Sequence, residues 1–258
     1  MNRTKLIEII ESISPSDMAE SWDNCGWQVK CTGETVKTVL VALEVTHQVI
    51  DEAVAEGAEL ILTHHPMLFS GIKKVDEGDV AGGYLFRLIQ NGISVYSCHT
   101  SFDRASGGNN DYLGELLGLE NIRPFDADNG FCRKGETPFE ITLAELTHRA
   151  ADAFSIDESH FRSVGDPSTS IATVGWCTGA GSEFIRDAFD EGCDLYITGD
   201  VKYHEAQNAR EMGICVLDAG HYGTEKIFTE NMAEQLRRKC FDEDLDVLES
   251  SRDLNPFG

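Results

Sequence analysis

Basic residues are scarce in this chain. Only 21 lysines and arginines stand against 45 aspartates and glutamates over 258 residues, a formal net charge of −24. That balance argues against nucleic acid as a partner, because its phosphates would be repelled. A solvated acidic surface is the plain reading of the excess. No apolar run approaches the roughly 20 residues that a membrane helix needs, so no membrane partner is expected. The opening Met1-Asn2-Arg3-Thr4-Lys5-Leu6-Ile7-Glu8 lacks a signal-peptide layout, since acids interrupt its apolar positions, and cytoplasmic residence follows as the default. No CxxC pair occurs among the eight cysteines, which speaks against a sulfur-only zinc or iron–sulfur site. Cys98, Cys193 and Cys215 lie within or beside predicted strands and read as reduced core thiols. A Walker-type phosphate loop is absent as well.

What remains is the balance of an ordinary globular chain, 41% apolar and 26% charged, long enough for one large or two ordinary domains. Its centre of interest is Leu60-Ile61-Leu62-Thr63-His64-His65-Pro66-Met67. The continuous apolar run reads as a buried parallel strand, and Pro66, which cannot donate to a ladder, ends it near the histidines. His64 and His65 therefore stand at a strand's C-terminal mouth, where open α/β sheets place ligands. Taken alone, the pair is either the start of a metal site or two unrelated histidines in a polar loop.

Around it, 3–13 has helical spacing, 36–45 reads as a strand, and Thr46 and Gly57 cap a helix over 47–56. A helix over 81–91 and a strand over 93–98 follow. The strand ends in His99-Thr100-Ser101-Phe102-Asp103, a second mouth with a histidine and a carboxylate. A short helix near 110–118 stops at a glycine. Ser21-Trp22-Asp23-Asn24-Cys25-Gly26-Trp27 is either a hairpin cap over the core or one wall of a site. Pro124, Gly130, Gly135 and Pro138 mark 121–138 as the candidate domain boundary. Beyond it, a helix is predicted near 142–153 and a strand near 160–164.

The second half echoes the first. Glu56-Gly57-Ala58-Glu59-Leu60-Ile61-Leu62-Thr63 resembles Glu191-Gly192-Cys193-Asp194-Leu195-Tyr196-Ile197-Thr198, and Asn91-Gly92-Ile93-Ser94-Val95-Tyr96 resembles Met212-Gly213-Ile214-Cys215-Val216-Leu217. The fold class expected is α/β, a duplicated unit with one repeat over 1–125 and the other over 126–258. In the second repeat the first mouth carries Gly199-Asp200, and the second carries Asp218-Ala219-Gly220-His221-Tyr222-Gly223-Thr224-Glu225.

His221 and Glu225 are four apart where a helix should begin, which puts both on one face. With His64, His65 and Asp103, the predicted strand ends offer three histidines and two carboxylates, with His99 in reserve. Imidazole and carboxylate suit Zn²⁺, Mn²⁺ or Fe²⁺. One catalytic metal needs about three protein ligands, so this set suits two cations about 3.5–4 Å apart. Separate hydrogen-bonding histidines would not explain the clustering at strand ends. His47, His148 and His160 read as ordinary surface or helix residues. Gly179-Ala180-Gly181-Ser182, between a strand and a helix, is either a phosphate cradle or a tight turn. His204, beyond Lys202 and Tyr203, is either a proton donor on a mobile lid or a contact at a helix start.

These motifs, in this order over nearly the whole chain, resemble the Nif-three-like dinuclear metal-binding proteins, often called GTP cyclohydrolase I type 2 homologues. Trp22-Asp23-Asn24-Cys25-Gly26, Leu62-Thr63-His64-His65-Pro66, His99-Thr100-Ser101-Phe102-Asp103, Ile197-Thr198-Gly199-Asp200-Val201-Lys202-Tyr203-His204 and Gly220-His221-Tyr222-Gly223-Thr224-Glu225 carry the likeness. The resemblance implies one metal on His64, Asp103 and Glu225, and a second on His65, His221 and the bridging Glu225. It implies that His99 lines the site and that His204 serves as an acid–base or substrate-binding group. It also implies a cleft between two α/β domains and a ring-like homohexamer. Glu44, Trp27 and Ser101 stand where the family usually has aspartate, leucine and asparagine, and none of these removes a ligand. The function expected is a metal-dependent hydrolase using a metal-bound hydroxide, with a nucleotide such as GTP as the candidate substrate. The alternative is a non-catalytic protein that holds or delivers metal, or a scaffold ring.

Overall fold

The computed structural model describes residues 1–31, 33–125 and 130–257. The chain divides into two compact units, Met1–Gly108 with Phe228–Gly258, and Asn109–Ile227. Each has a mixed α/β sheet of its own.

In the first unit the strands are β1 (Gly26–Val29), β2 (Thr38–Ala42), β3 (Leu60–Thr63), β4 (Ser94–Ser97) and β11 (Asp246–Glu249), in the order β1-β4-β3-β2-β11. β2, β3, β4 and β11 run parallel, while β1 pairs antiparallel with β4. All four residues of β3 and all four of β4 are buried, as a parallel sheet covered on both faces requires. The helix His47–Glu56 between β2 and β3 starts and stops where the sequence says it should. Thr46 accepts a hydrogen bond from the Val49 N–H, and Gly57 turns left-handed at φ 67°.

The second unit holds β5 (Glu120–Pro124), β6 (Arg133–Thr142), β7 (Arg162–Val164), β8 (Ser170–Ala180), β9 (Leu195–Gly199) and β10 (Cys215–Asp218), in the order β5-β6-β8-β9-β10-β7. Here β8, β9 and β10 run parallel and the other strands antiparallel. Four strands of each sheet share one pattern: β1-β4-β3-β2 in the first, β7-β10-β9-β8 in the second. The register agrees too. Leu60 pairs with Ser94 and Leu195 with Cys215, the positions that the sequence echo aligns.

Two expectations need correction. The boundary was expected at 125/126, whereas the units divide at Gly108/Asn109; residue 126 itself lies outside the described residues. The tail was expected in the second repeat, but the helix Phe228–Lys239 and β11 return to the first unit. Burial drives that return: Phe228, Met232, Ala233 and Leu236 are almost wholly removed from solvent, and β11 extends the ladder beyond β2. Beyond β11, the Glu52 carboxylate accepts from the Ser250 hydroxyl at 2.6 Å and from the Ser251 N–H at 2.9 Å, which ties the tail to the helix His47–Glu56.

The 121–138 stretch is likewise no linker where it is described. β5 and β6 form a hairpin-like antiparallel pair there. Pro138 is tolerated because the β6–β8 register is irregular between Glu136 and Ile141, where a missing N–H costs no ladder bond. All eight cysteines are free thiols and six of them are buried, as a reduced core predicts. Among the described residues, no helix is long and apolar enough to cross a membrane.

Candidate functional site

In the first unit, β3 delivers His64 and His65. The Leu43 carbonyl accepts from both of their N–H groups, at 3.1 and 2.9 Å. The Thr63 hydroxyl donates to the His65 carbonyl at 2.9 Å, so the pair sits on a fixed backbone. The His64 side chain is fully buried and its ring lies 5.1 Å from that of Phe228. Its Nε2 stands 3.0 Å from Asp103 Oδ1. Asp103 is presented by the short helix Thr100–Arg104 that follows β4. His64, His65 and His99 each offer a ligand nitrogen, all within 4.8 Å of one another.

His99 is anchored from behind. Its Nδ1 lies 3.0 Å from Asp23 Oδ1. The Asp23 carboxylate also accepts from the Asn24 N–H at 2.7 Å, the Thr100 N–H at 3.1 Å, the Thr100 hydroxyl and the Cys25 thiol. Burial alone would raise the Asp23 pKa. The hydrogen bonds from His99, Thr100 and Cys25 outweigh it and hold the carboxyl well below the usual range, so Asp23 stays an anion. The Cys25 thiol is pushed up by burial and remains a donor. Of the two readings of the Trp22–Trp27 turn, the wall of a site is the one this geometry supports. With Nδ1–H given to Asp23, the other ring nitrogen of His99 is left for chemistry.

In the second unit, the short helix His221–Glu225 follows β10. The i,i+4 spacing brings His221 Nε2 to 2.9 Å from Glu225 Oε2. His221 Nδ1 lies 2.8 Å from Asp200 Oδ2, so an aspartate orients this imidazole as Asp23 orients His99. Asp200 sits just beyond β9 with φ 57°, a left-handed conformation that aspartate tolerates better than most residues.

Two glycines make room for this pair. At Gly179 (φ +69°) a Cβ would lie 2.1 Å from Glu225 Oε1, and at Gly199 it would lie 2.5 Å from the His221 backbone nitrogen. The turn around Gly179 closes on itself. The Gly179 N–H donates to the Thr224 hydroxyl and the Gly181 N–H to the Thr198 hydroxyl, each at 2.9 Å. Those donors are spent within the fold, which favours the tight-turn reading over a phosphate cradle. His204 stands exposed in the first turn of the helix Tyr203–Met212, with its ring edge-on to that of Tyr203.

A histidine nitrogen and a carboxylate oxygen 2.9–3.0 Å apart recur in both units. Two ligand atoms each about 2.0–2.2 Å from one cation, at roughly 90–110°, lie about 3–3.5 Å apart. The donor types and the spacing both fit a divalent cation. His64, Asp103, His221 and Glu225 are four of the five ligand candidates that the motifs point to, and His65 is the fifth. Sequence reasoning missed Asp23 and Asp200 as orienting carboxylates, and Gly179 and Gly199 as the space they need. Asp200 carried a signal, since Gly199-Asp200 replaces the paired histidines at the equivalent mouth.

Known proteins match this chain over nearly its whole length. A "GTP cyclohydrolase 1 type 2 homolog" from Clostridium perfringens is 34% identical, with 100% of this chain and 99% of that protein covered. Among solved structures, reduced HcgD from Methanocaldococcus jannaschii is 30% identical with a TM-score of 0.81, covering 98% of each chain. A Bacillus cereus protein related to NIF3 superposes with a TM-score of 0.94 over 100% of this chain and 99% of that one; at 23% identity it speaks for the fold alone. The profile of the Duf34/NIF3 (NGG1p interacting factor 3) family matches residues 1–256, and the chain belongs to that family.

Proposed function

We propose that this protein is a metal-dependent hydrolase holding two divalent cations on His64, His65, Asp103, His221 and Glu225, with Glu225 shared. The observation that carries the reading is the repeated imidazole–carboxylate pair at 2.9–3.0 Å, one at a strand mouth of each unit. The common strand order and register support a duplicated α/β unit, in which each copy contributes one such pair. Assembly into a homohexamer and residence in the cytoplasm belong to the same reading.

Divalent cations so held supply Lewis acidity and a water acidified into the neutral range. The chain's own residues do the rest. His99, locked on Asp23, presents one nitrogen to hold or move a proton. Asp200 fixes His221 in the tautomer that leaves Nε2 as a ligand. His204, exposed at its helix start, is the second acid–base candidate.

The name that its relatives bear makes GTP the first substrate to try. Protein purified without tag or chelator is expected to carry about two equivalents of metal per chain by elemental analysis, and to consume GTP when loaded with Mn²⁺, Zn²⁺ or Fe²⁺. A metal-free native protein sinks the whole reading; metal without turnover removes only GTP as substrate.

Gly179→Ala separates ligand geometry from folding. Its Cβ would displace the Glu225 carboxylate, the far end of a flexible side chain that can turn aside without moving the backbone. The bound metal is expected to fall by at least about half, while the left-handed backbone costs only about 1 kcal/mol. Elemental analysis beside a thermal melt checks this, and unchanged metal content would contradict it.

A further inference from the structure

Trp22 and Phe69 flank His99, and both are more than half exposed, at 58% and 56%. Their ring centroids are 5.9 Å apart with the planes tilted by 52°. The His99 ring stands edge-on to both, at 6.2 Å from Trp22 and 6.5 Å from Phe69. Apolar rings this large are normally drawn into the core, and a pair left out beside a reactive imidazole calls for an occupant.

The wall is built rather than loose. Asn24 Nδ2 donates to the Leu68 carbonyl at 2.7 Å, and the Leu68 N–H donates to Gln28 Oε1 at 3.0 Å. Gln28 Nε2 closes the clamp on the Asn24 carbonyl at 2.6 Å, and Gln28 is itself only 8% exposed. The segments that carry the two rings are thereby stapled together. Across 20–28, 64–69 and 97–104, which form the wall, the one lysine or arginine is Arg104. It is paired with Glu20 and with the Met18 carbonyl. Beyond the proposed metal ligands, this wall offers a phosphate no lysine or arginine that is not already engaged by the fold, whereas a flat conjugated ring would find two π-faces.

We propose that Trp22 and Phe69 are specificity-determining residues that stack an uncharged, planar nitrogen heterocycle with its polar edge turned toward His99. This deepens the hydrolase reading and rests on His99 belonging to that site. Ring recognition, not phosphate recognition, then dominates binding.

The test uses the full-length, metal-loaded protein and four probes: guanosine, adenosine, GTP and ribose 5-phosphate. Trp176 is fully buried and Trp27 partly so, and the quench that Trp22→Ala abolishes is the part that reports on Trp22. The nucleosides are expected to quench saturably, GTP to bind within about threefold of guanosine, and ribose 5-phosphate to have no effect. Phe69→Ala should weaken guanosine at least about tenfold with metal content unchanged, and Phe69→Tyr should restore it. Trp22→Ala, followed by equilibrium dialysis, should show the same loss.

Ribose 5-phosphate binding without nucleoside binding would overturn the proposal. So would full guanosine affinity in Phe69→Ala. A third overturning result is a change in oligomeric state with nucleoside affinity intact, which would make the wall a contact between copies. Metal content and turnover are scored separately. Nucleoside binding by a metal-free protein would fail the hydrolase and keep the wall, while metal and turnover without ring binding would do the reverse.

Discussion

Gly199→Ala is expected to be among the most damaging single-methyl additions to the second unit, lowering stability by roughly 3 kcal/mol. The added Cβ would lie 2.5 Å from the His221 backbone nitrogen, 2.7 Å from the Gly220 carbonyl carbon and 2.8 Å from the His221 Cα. These are backbone atoms, so no rotamer change relieves the clash. Something in the main chain must move, and that chain is the turn that launches the helix His221–Glu225. The same shift would pull His221 Nε2 off its 2.9 Å approach to Glu225. Metal content should therefore fall together with stability, unlike Gly179→Ala, where metal is lost with little cost to the fold. Gly71→Ala is the control. Nothing lies within 4 Å of its Cβ position, so its effect should stay within about 0.5 kcal/mol. Urea unfolding of the three proteins decides the matter; a Gly199→Ala midpoint equal to that of Gly71→Ala would refute the close-approach argument.

How far the sequence could be read follows from the range of the interactions involved. His64 and His65 were legible because a buried apolar run ends at Pro66, a pattern contained in eight consecutive residues. His221 and Glu225 were legible because a four-residue spacing needs only one helical turn to become a contact. Asp103 was legible because the strand over Ser94–Ser97 announces where its mouth must be. Asp23 was not, since its role depends on His99 and Thr100, 76 and 77 residues away. Local pattern there shows only turn-forming residues between two tryptophans. β6 was hidden by its own composition: Gly135 and Pro138 argue locally for a break, and pairing with β8 overrides them. The return of Phe228–Lys239 to the first unit was equally invisible. An amphipathic helix shows that it has an apolar face, not which sheet that face will cover. The sequence echo identified the strand cores of both units correctly, yet an echo between strands says nothing about where a tail docks.

Asp23→Ala carries the other large expectation, because one carboxylate satisfies five donors at once. Removing it strands the Asn24 and Thr100 N–H groups, the Thr100 hydroxyl, the Cys25 thiol and the His99 ring nitrogen. The exposed Asn24 N–H can turn to water, but each of the four part-buried donors costs about 1–3 kcal/mol when left unsatisfied, and relaxation plus water entry recover part, so a net loss of about 3 kcal/mol is expected at neutral pH. The pH dependence identifies the cause. Burial opposes ionisation of Asp23, but the hydrogen bonds from His99, Thr100 and Cys25 prevail and leave its folded pKa below the ordinary 3.8. A depressed carboxyl stabilises the fold at any pH above the unfolded value and loses that contribution as pH falls through the folded one. The stability gap between wild type and Asp23→Ala should thus be the same at pH 7 and pH 5, and begin to narrow only below about pH 4. Asp23→Asn should recover part of the gap near neutrality, since an amide oxygen still accepts while its NH₂ faces donors that it cannot serve. On the proposed hydrolase reading, both variants should lose turnover beyond what stability explains, because the ring of His99 is no longer held by its Nδ1. Urea unfolding at pH 7, 5 and 3 measures the gap directly. A gap that is absent at pH 7, or that widens toward pH 3, would show that Asp23 does not anchor His99 as an anion.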